Sequence, residues 1–120
     1  MTQRECRDYI NDIAEAIDDA ASFVEGMTYL EFQRDKKTIY AVVRTIEIIG
    51  EASKHIPKSV KDKAPKIPWS EMKGMRNKII HEYFGINIRV IWDTVKQYLP
   101  RLKPEIAELI RQVMERVSES

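Results

Sequence analysis

Apolar residues recur at three- and four-residue intervals along most of this chain, which is the spacing of one face of an α-helix. No stretch has the pattern of a β-strand. The predicted fold class is therefore all-α, an up-and-down helical bundle of four to five helices. The predicted helices cover residues 4–25, 36–55, 69–84, 88–99 and about 103–117.

The two helices predicted in the first half of the chain differ in how many apolar faces they have. The inward residues of the first helix, which Gly26 is expected to terminate, are Ile10, Ile13, Ile17, Ala21 and Val24. The main face of the second helix contains Ile39, Val42, Val43, Ile46, Ile49 and Gly50. A second strip nearly opposite contains Ala41, Ile48 and Ala52. A helix that is apolar on two sides is either central in its bundle or shared with a second subunit.

Prolines and one asparagine mark the predicted boundaries in the second half of the chain. Residues 56–68 contain three prolines and four lysines, so this segment is predicted to be a loop with at most one helical turn. Pro68 suits the first turn of the next helix, which should end near residues 83–85. Asn87 suits the N-cap of the helix after that, and Pro100 is expected to break or kink the chain before the last helix.

Length and composition narrow the class of protein. The 120 residues fit one domain, 1–120, and Cys6 is the single cysteine, so no intramolecular disulfide can form. The N-terminus has no signal-peptide pattern and no apolar run is long enough to span a membrane, so a soluble cytoplasmic protein is expected.

Charge and residue types exclude two kinds of binding. The net charge of +1 is too small for a protein that coats nucleic acids through an overall positive charge. One cysteine and two separated histidines give no metal-ligand spacing, so no metal site is predicted.

Residues 69–84 contain the candidate chemistry. On a continuous helix, at about 100° per residue, Arg76 lies within an apolar stripe. The other members of this stripe are Trp69, Met72, Ile79 and Ile80. A guanidinium there is costly to bury unless a carboxylate, another polar network or a bound anion meets it. Arg76 therefore either snorkels or joins a structural ion pair, or it lines a cleft and binds phosphate bidentately.

Asn77 and His81 lie one helical turn apart and share a face, and His81 is about 140° round the helix from Arg76. Arg76 and His81 would converge only if the helix loosens near its end or if an interface brings the two edges together. A guanidinium and an imidazole aimed at one point suit phosphodiester chemistry, because the guanidinium stabilises charge on phosphate and the imidazole moves protons near neutral pH.

The segment from Arg76 to Tyr83 resembles the Arg-x4-His-x-Tyr motif of HepT-like toxins in the HEPN superfamily. Further similar segments occur in the same order, so that the resemblance covers most of residues 8–112. These segments are Ile48–Ala52, Ile67–Trp69, Gly74–Arg76, Val90–Trp92 and Tyr98–Pro100.

The resemblance implies an α-helical homodimer that acts as a metal-independent, cofactor-free endoribonuclease. Its active cleft would lie at the dimer interface and contain two copies each of Arg76 and His81. The resemblance also implies a partner, a minimal nucleotidyltransferase (MNT) antitoxin in a type VII-like toxin–antitoxin system. In such pairs the antitoxin transfers AMP to the motif tyrosine, here Tyr83, and a bulky anionic group there would block the phosphate site beside Arg76. Without the resemblance, the alternative for Tyr83 is a packing residue at a helix end.

Several neighbouring residues are candidates for supporting roles. Asn77 and Glu51 are expected to support the site, with Glu51 orienting Arg76 or His81; a solvated acid beside Arg44 and Lys54 is the equal alternative for Glu51. The candidate RNA-binding residues are Lys73, Lys78 and Arg89.

The alternative to a ribonuclease toxin is a non-catalytic HEPN-type protein that binds nucleotides or a nucleotidyltransferase. An assay of RNA cleavage separates it from a ribonuclease toxin.

Overall fold

The computed structural model describes residues 4–75, residue 77 and residues 87–119, with side chains as far as residue 114. This part of the chain is helical and contains no strand, which confirms the all-α prediction. The helices are α1 (Cys6–Phe23), α2 (Tyr29–Gln33), α3 (Lys36–Lys54), α4 (Lys58–Lys61), α5 (residues 69–75), α6 (Ile88–Asp93) and α7 (Leu99–Glu119). A π-helical turn, Thr94–Tyr98, joins α6 to α7.

The core lies between α1, α3 and α7, because α1 packs against both of the other long helices. The largest fully buried side chains on these three helices are Ile10, Ile13, Ile46, Ile49, Leu99, Ile106 and Leu109. Burying each of these aliphatic side chains contributes about 1.5–3 kcal/mol relative to leaving it in water. The α1 stripe differs from the prediction at one position: Ala20 is fully buried and Ala21 is exposed. Ala21 lies at the edge of the stripe that runs through Ile17 and Val24, whereas Ala20 lies within it.

Helix α3 has the main buried face that its sequence predicts. Its buried residues include Ile39, Val42, Val43, Ile46, Ile49 and Gly50. The second strip is incompletely covered within one chain, since Ala52 is buried while Ala41 and Ile48 are half-buried. Part of the second apolar side of α3 is therefore accessible to another molecule.

Short helices follow the first two long helices, α2 after α1 and α4 after α3. Helix α2 begins at a capping box, in which Thr28 Oγ1 accepts from the Glu31 amide at 3.2 Å and Glu31 Oε1 accepts from the Thr28 amide at 2.9 Å. Helix α4 is the single turn predicted between residues 56 and 68. Gly26 follows the end of α1 with a φ of 75°, in the left-handed region that favours glycine.

The chain does not break at Pro100, so of the two predicted outcomes, a break or a kink, the break is wrong. It stays helical from Ile88 to Glu119, with Pro100 and Pro104 both inside α7. The π-helical turn gives the reason, since the Leu99 amide donates to the Thr94 carbonyl, five residues back. This wider turn makes room for a proline ring that would otherwise clash with the preceding turn of an α-helix. None of the described helices is long and apolar enough to cross a membrane.

Candidate active site

Helix α5 carries the first half of the candidate stretch into the core. Met72 and Met75 are buried, and half-buried Trp69 packs beside the core, which agrees with the apolar stripe predicted for Trp69 and Met72. The indole Nε1 of Trp69 donates to the Ala64 carbonyl at 3.2 Å, so the preceding loop is tied to the first turn of α5. This polar contact satisfies the indole and fixes where the helix begins.

A hydrogen bond between distant residues holds α5 against the π-helical turn. The hydroxyl of Tyr98 donates to Glu71 Oε2 at 2.8 Å. Burial, and then the hydrogen bond and charge of Glu71, raise the pKa of Tyr98, so its hydroxyl stays protonated and donates throughout the neutral range. This pair is not predictable from the sequence. The two residues are 27 positions apart, and no helical spacing relates them.

The other end of the candidate stretch is anchored at α6. Asn87 caps this helix as predicted, since its Oδ1 accepts from the Val90 amide at 3.2 Å. Trp92 packs against the buried Phe32 of α2 with ring centroids 5.1 Å apart, and against Tyr29 at 5.9 Å. The chain is therefore fixed by packing both before and after residues 76–86.

Four of the predicted site residues lie outside the described residues: Arg76, Lys78, His81 and Tyr83. Asn77 is helical and exposed, as expected for a residue on the surface of the motif helix. Lys73 is also exposed, and among the described residues its ammonium group has no ion-pair partner.

Arg89 is exposed but already has two neighbours. Its Nε lies 3.2 Å from Asp93 Oδ1, and its guanidinium lies 4.8 Å from the centre of the Tyr29 ring. An RNA phosphate would have to compete with the Asp93 carboxylate for this guanidinium. Of the two predicted RNA-binding residues that the structure describes, Lys73 is thus more available than Arg89 to bind an RNA phosphate.

Glu51 lies on the exposed side of α3, near its C-terminal end. Its carboxylate oxygens are 3.6 Å from Lys54 Nζ and 3.5 Å from His55 Nε2. The positive charge of Lys54, and then the hydrogen bond from His55, lower the pKa of Glu51. Lys54 was one of the two neighbours expected if Glu51 has no role in the site. The supporting role of Glu51 stays a prediction.

Glu51 and His55 also border a surface groove between α1 and α3, with a volume of about 160 Å³. The His55 ring stacks on Tyr9 with centroids 4.6 Å apart. The remaining charges in the groove form pairs, Arg4 with Asp12 at 2.9 Å and Arg44 with Glu47 at 3.4 Å. Basic and acidic side chains balance each other in this groove, so it lacks the concentrated positive charge that binding a phosphate requires.

No metal-ligating group of three or more His, Cys, Asp or Glu side chains occurs in the described ranges. Burial raises the pKa of the Cys6 thiol, which keeps this cysteine in its poorly nucleophilic protonated form at neutral pH.

The hydrogen bond between Tyr98 and Glu71 gives a prediction for stability. Tyr98→Phe and Glu71→Ala are each expected to lower the free energy of unfolding by about 1 kcal/mol, because each removes one partner of the same bond. The double variant should lose less than the sum of the two single variants. Urea denaturation of all four proteins measures this coupling. Strictly additive losses would show that the bond does not stabilise the position of α5.

Comparison with known proteins agrees with the motif resemblance over nearly the whole chain. The family model described as "Ribonuclease HepT-like" matches residues 13–109. A protein of Thermococcus cleftensis named "Probable ribonuclease HepT" is 50% identical over 107 residues, covering 89% of this chain and 97% of that protein. A protein of Methanocaldococcus jannaschii named as a candidate RNase is 42% identical over 113 residues, covering 94% of this chain and 93% of that protein. No solved structure gives a significant match. The family model covers well over half of the chain, so the protein belongs to the HepT-like ribonuclease family.

Proposed function

We propose that this protein is a metal-independent endoribonuclease in which Arg76 and His81 carry out RNA phosphodiester cleavage. The observation that supports this most strongly is the family match, because residues 13–109 include the complete Arg-x4-His-x-Tyr stretch. The packing on either side of that stretch also supports the proposal. Trp69 anchors the chain before the stretch and Trp92 anchors the chain after it.

The proposed reaction assigns one role to each of the two residues. His81 moves protons, taking one from the attacking 2′-hydroxyl or giving one to the leaving 5′-oxygen. Arg76 binds the scissile phosphate through two parallel hydrogen bonds and stabilises the negative charge that develops there. In-line cleavage requires both proton transfers, whereas residues 69–84 contain only one histidine.

A homodimer would supply the second imidazole without a second histidine in the sequence. In a two-fold dimer the same surface of each subunit meets its counterpart, so two copies of Arg76 and two of His81 can share one cleft. The half-buried Ala41 and Ile48 on α3 support dimer formation, because this apolar strip is not fully covered within one chain. Each chain would then carry half of an active site.

The neighbouring polar residues would serve this cleft. Lys73 and Lys78 would hold phosphates on either side of the scissile bond, and Arg89 would join them when it releases Asp93. Asn77 lies next to Arg76 in sequence and is exposed, so it is placed to hydrogen-bond RNA. Glu51 would orient Arg76 or His81 from α3 after exchanging its contacts with Lys54 and His55.

We further propose that the protein is the toxin of a type VII-like toxin–antitoxin pair that acts on RNA in the cytoplasm. Its antitoxin would be an MNT-type nucleotidyltransferase that transfers AMP to Tyr83. The added phosphate would occupy the anion site beside Arg76 and exclude RNA. The protein would be co-expressed with a nucleotidyltransferase encoded by an adjacent open reading frame. Mass spectrometry of the purified protein would then detect AMP on Tyr83. An unmodified Tyr83 in a fully inhibited complex would refute this route of inhibition.

The test of the enzymatic function is cleavage of RNA by the pure protein in the presence of EDTA. The proposal predicts cleavage under these conditions, because no step uses a metal ion. The non-catalytic alternative predicts a stable complex with the nucleotidyltransferase, but neither RNA cleavage nor toxicity on expression. An intact RNA substrate after prolonged incubation with a correctly folded protein would therefore favour the binding protein.

A further inference from the structure

The segment that leads into the candidate active site is rich in lysine. Residues 58–75 contain five lysines and two acidic residues, although the whole chain has a net charge of only +1. This segment therefore provides the local basic patch that a nearly neutral protein needs in order to bind a polyanion. Of these five lysines, only Lys73 is among the RNA-binding residues predicted from the sequence.

Three of the lysines lie along one path beside Trp69. Lys58 and Lys61 are one turn apart on α4, and Lys61 Nζ lies 5.8 Å from the centre of the Trp69 ring. Lys73 follows Trp69 by four residues on α5, so the two side chains lie on the same helical face. Asn77 is four residues further along that face and is exposed. The path thus runs from α4, past Trp69, to the start of the Arg-x4-His-x-Tyr stretch.

The acidic residues near this path leave its positive charge largely uncompensated. Glu71 is engaged by Tyr98 at 2.8 Å and lies on another face of α5. Asp62 caps the end of α4 and is exposed, and it forms no ion pair with any lysine in the described part of the chain. Lys58 and Lys73 likewise have no carboxylate partner among the described residues.

The other two lysines of the segment have a different environment. Lys63 and Lys66 line a cavity of about 170 Å³ between the loop and α7. Glu105 and Glu108 line the same cavity, so acidic groups lie close to these two lysines. The loop thus has one side that is positively charged and another on which the charges are balanced.

We propose that Lys58, Lys61 and Lys73 bind the phosphate backbone of the RNA substrate and guide it to the candidate active site. This inference rests on the proposed ribonuclease function and adds a binding surface to it. Half-buried Trp69 lies between the lysines and suits stacking of an unpaired base, and the combination of an aromatic ring with flanking cations is typical of single-strand binding. The substrate class is therefore single-stranded RNA, bound mainly through its backbone and without sequence readout.

The test compares two double variants that remove the same charge from the same segment, residues 58–66. Lys58→Gln with Lys61→Gln changes the proposed path, and Lys63→Gln with Lys66→Gln is the matched control facing Glu105 and Glu108. The ligand is a fluorescent 2′-O-methyl oligoribonucleotide, which lacks the nucleophilic 2′-hydroxyl and cannot be cleaved. Its dissociation constant is measured by anisotropy between about 50 and 300 mM KCl, a range over which phosphate contacts change affinity strongly.

The path variant is expected to bind about 10- to 25-fold more weakly than wild type at 0.1 M salt, because two phosphate contacts are lost. The slope of log affinity against log salt should become shallower by about 1.4, which is roughly 0.7 for each contact to a single strand. The control variant should stay within about threefold of wild type. The slope reports contacts to phosphate, so a small loss of stability at Lys61 would not change it.

Equal losses in the two variants, or no loss in either, would overturn the inference. A path variant that binds RNA normally but no longer binds the nucleotidyltransferase would also overturn it, because the lysines would then serve a protein partner. These outcomes can be distinguished from a failure of the proposed ribonuclease function. If the wild type cleaves RNA while the path variant behaves like the control, the function stands and only the lysine path is wrong.

Discussion

Replacement of His81 with alanine is expected to lower the rate of RNA cleavage by about 10²- to 10⁴-fold, which is the usual contribution of a positioned general acid or base. Arg76→Ala should lower it by about 10²- to 10³-fold, because the scissile phosphate loses its charge stabilisation during the reaction. Arg76→Lys should recover only part of this loss, since an ammonium group keeps the charge but not the bidentate geometry. Initial rates on a defined RNA oligonucleotide, measured with EDTA present, give each factor.

The second histidine of the chain provides a matched control. His55 caps the end of α3, stacks on Tyr9 and contacts Glu51, so packing and a carboxylate already engage its ring, and the proposed reaction gives it no proton to transfer. His55→Ala should keep the cleavage rate within about twofold of wild type. If His55→Ala were as inactive as His81→Ala, or if His81→Ala cleaved RNA like the wild type, the assignment of the catalytic histidine would be wrong.

The largest expected effect on stability is that of Phe32→Ala, a loss of about 3–5 kcal/mol in the free energy of unfolding. Phe32 is the fully buried residue of the short helix α2 and packs on Trp92 of α6. Its removal leaves a cavity that neighbouring helices cannot easily fill. A domain of this size has a total stability of roughly 5–15 kcal/mol, so the variant should be marginally folded.

Leu30→Ala is the control for this prediction, since Leu30 lies on the same helix but is 53% exposed. Its cost should be no more than about 0.5 kcal/mol. Urea unfolding at one fixed protein concentration measures both variants, because the proposed dimer would make stability depend on concentration. Equal midpoints for Phe32→Ala and wild type would show that α2 is not part of the cooperative core.

Much of the fold follows from local patterns in the sequence. The apolar periodicity of α1 and α3 predicts their buried faces, and Asn87 marks the start of α6, because these features depend on neighbours within one or two turns. The capping box of Thr28 and Glu31 is also visible in the sequence and could have predicted α2. Local rules do not predict that the helix continues through Pro100, where the preceding π-helical turn accommodates the proline ring.

The chemistry of the candidate site stays a prediction from the sequence, whereas the contacts that support the flanking helices could not be predicted from it. Residue types and spacing point to Arg76 and His81, and helical geometry indicates that the two converge only if the helix loosens near its end or an interface brings them together. The bond between Tyr98 and Glu71 and the different environments of Lys58 and Lys63 depend on tertiary packing, which no local pattern encodes. These contacts therefore had to come from the structure.

The central claim, that each chain carries half of a ribonuclease active site, is tested most directly by mixing subunits. Wild-type and His81→Ala chains are unfolded together and refolded at a constant total concentration, and native mass spectrometry verifies that hybrid dimers form. If one cleft needs both histidines, only wild-type homodimers are active, and cleavage falls with the square of the wild-type fraction, to about a quarter at an equal mixture. A linear fall to about half, or no cleavage by the pure wild-type protein, would contradict the claim.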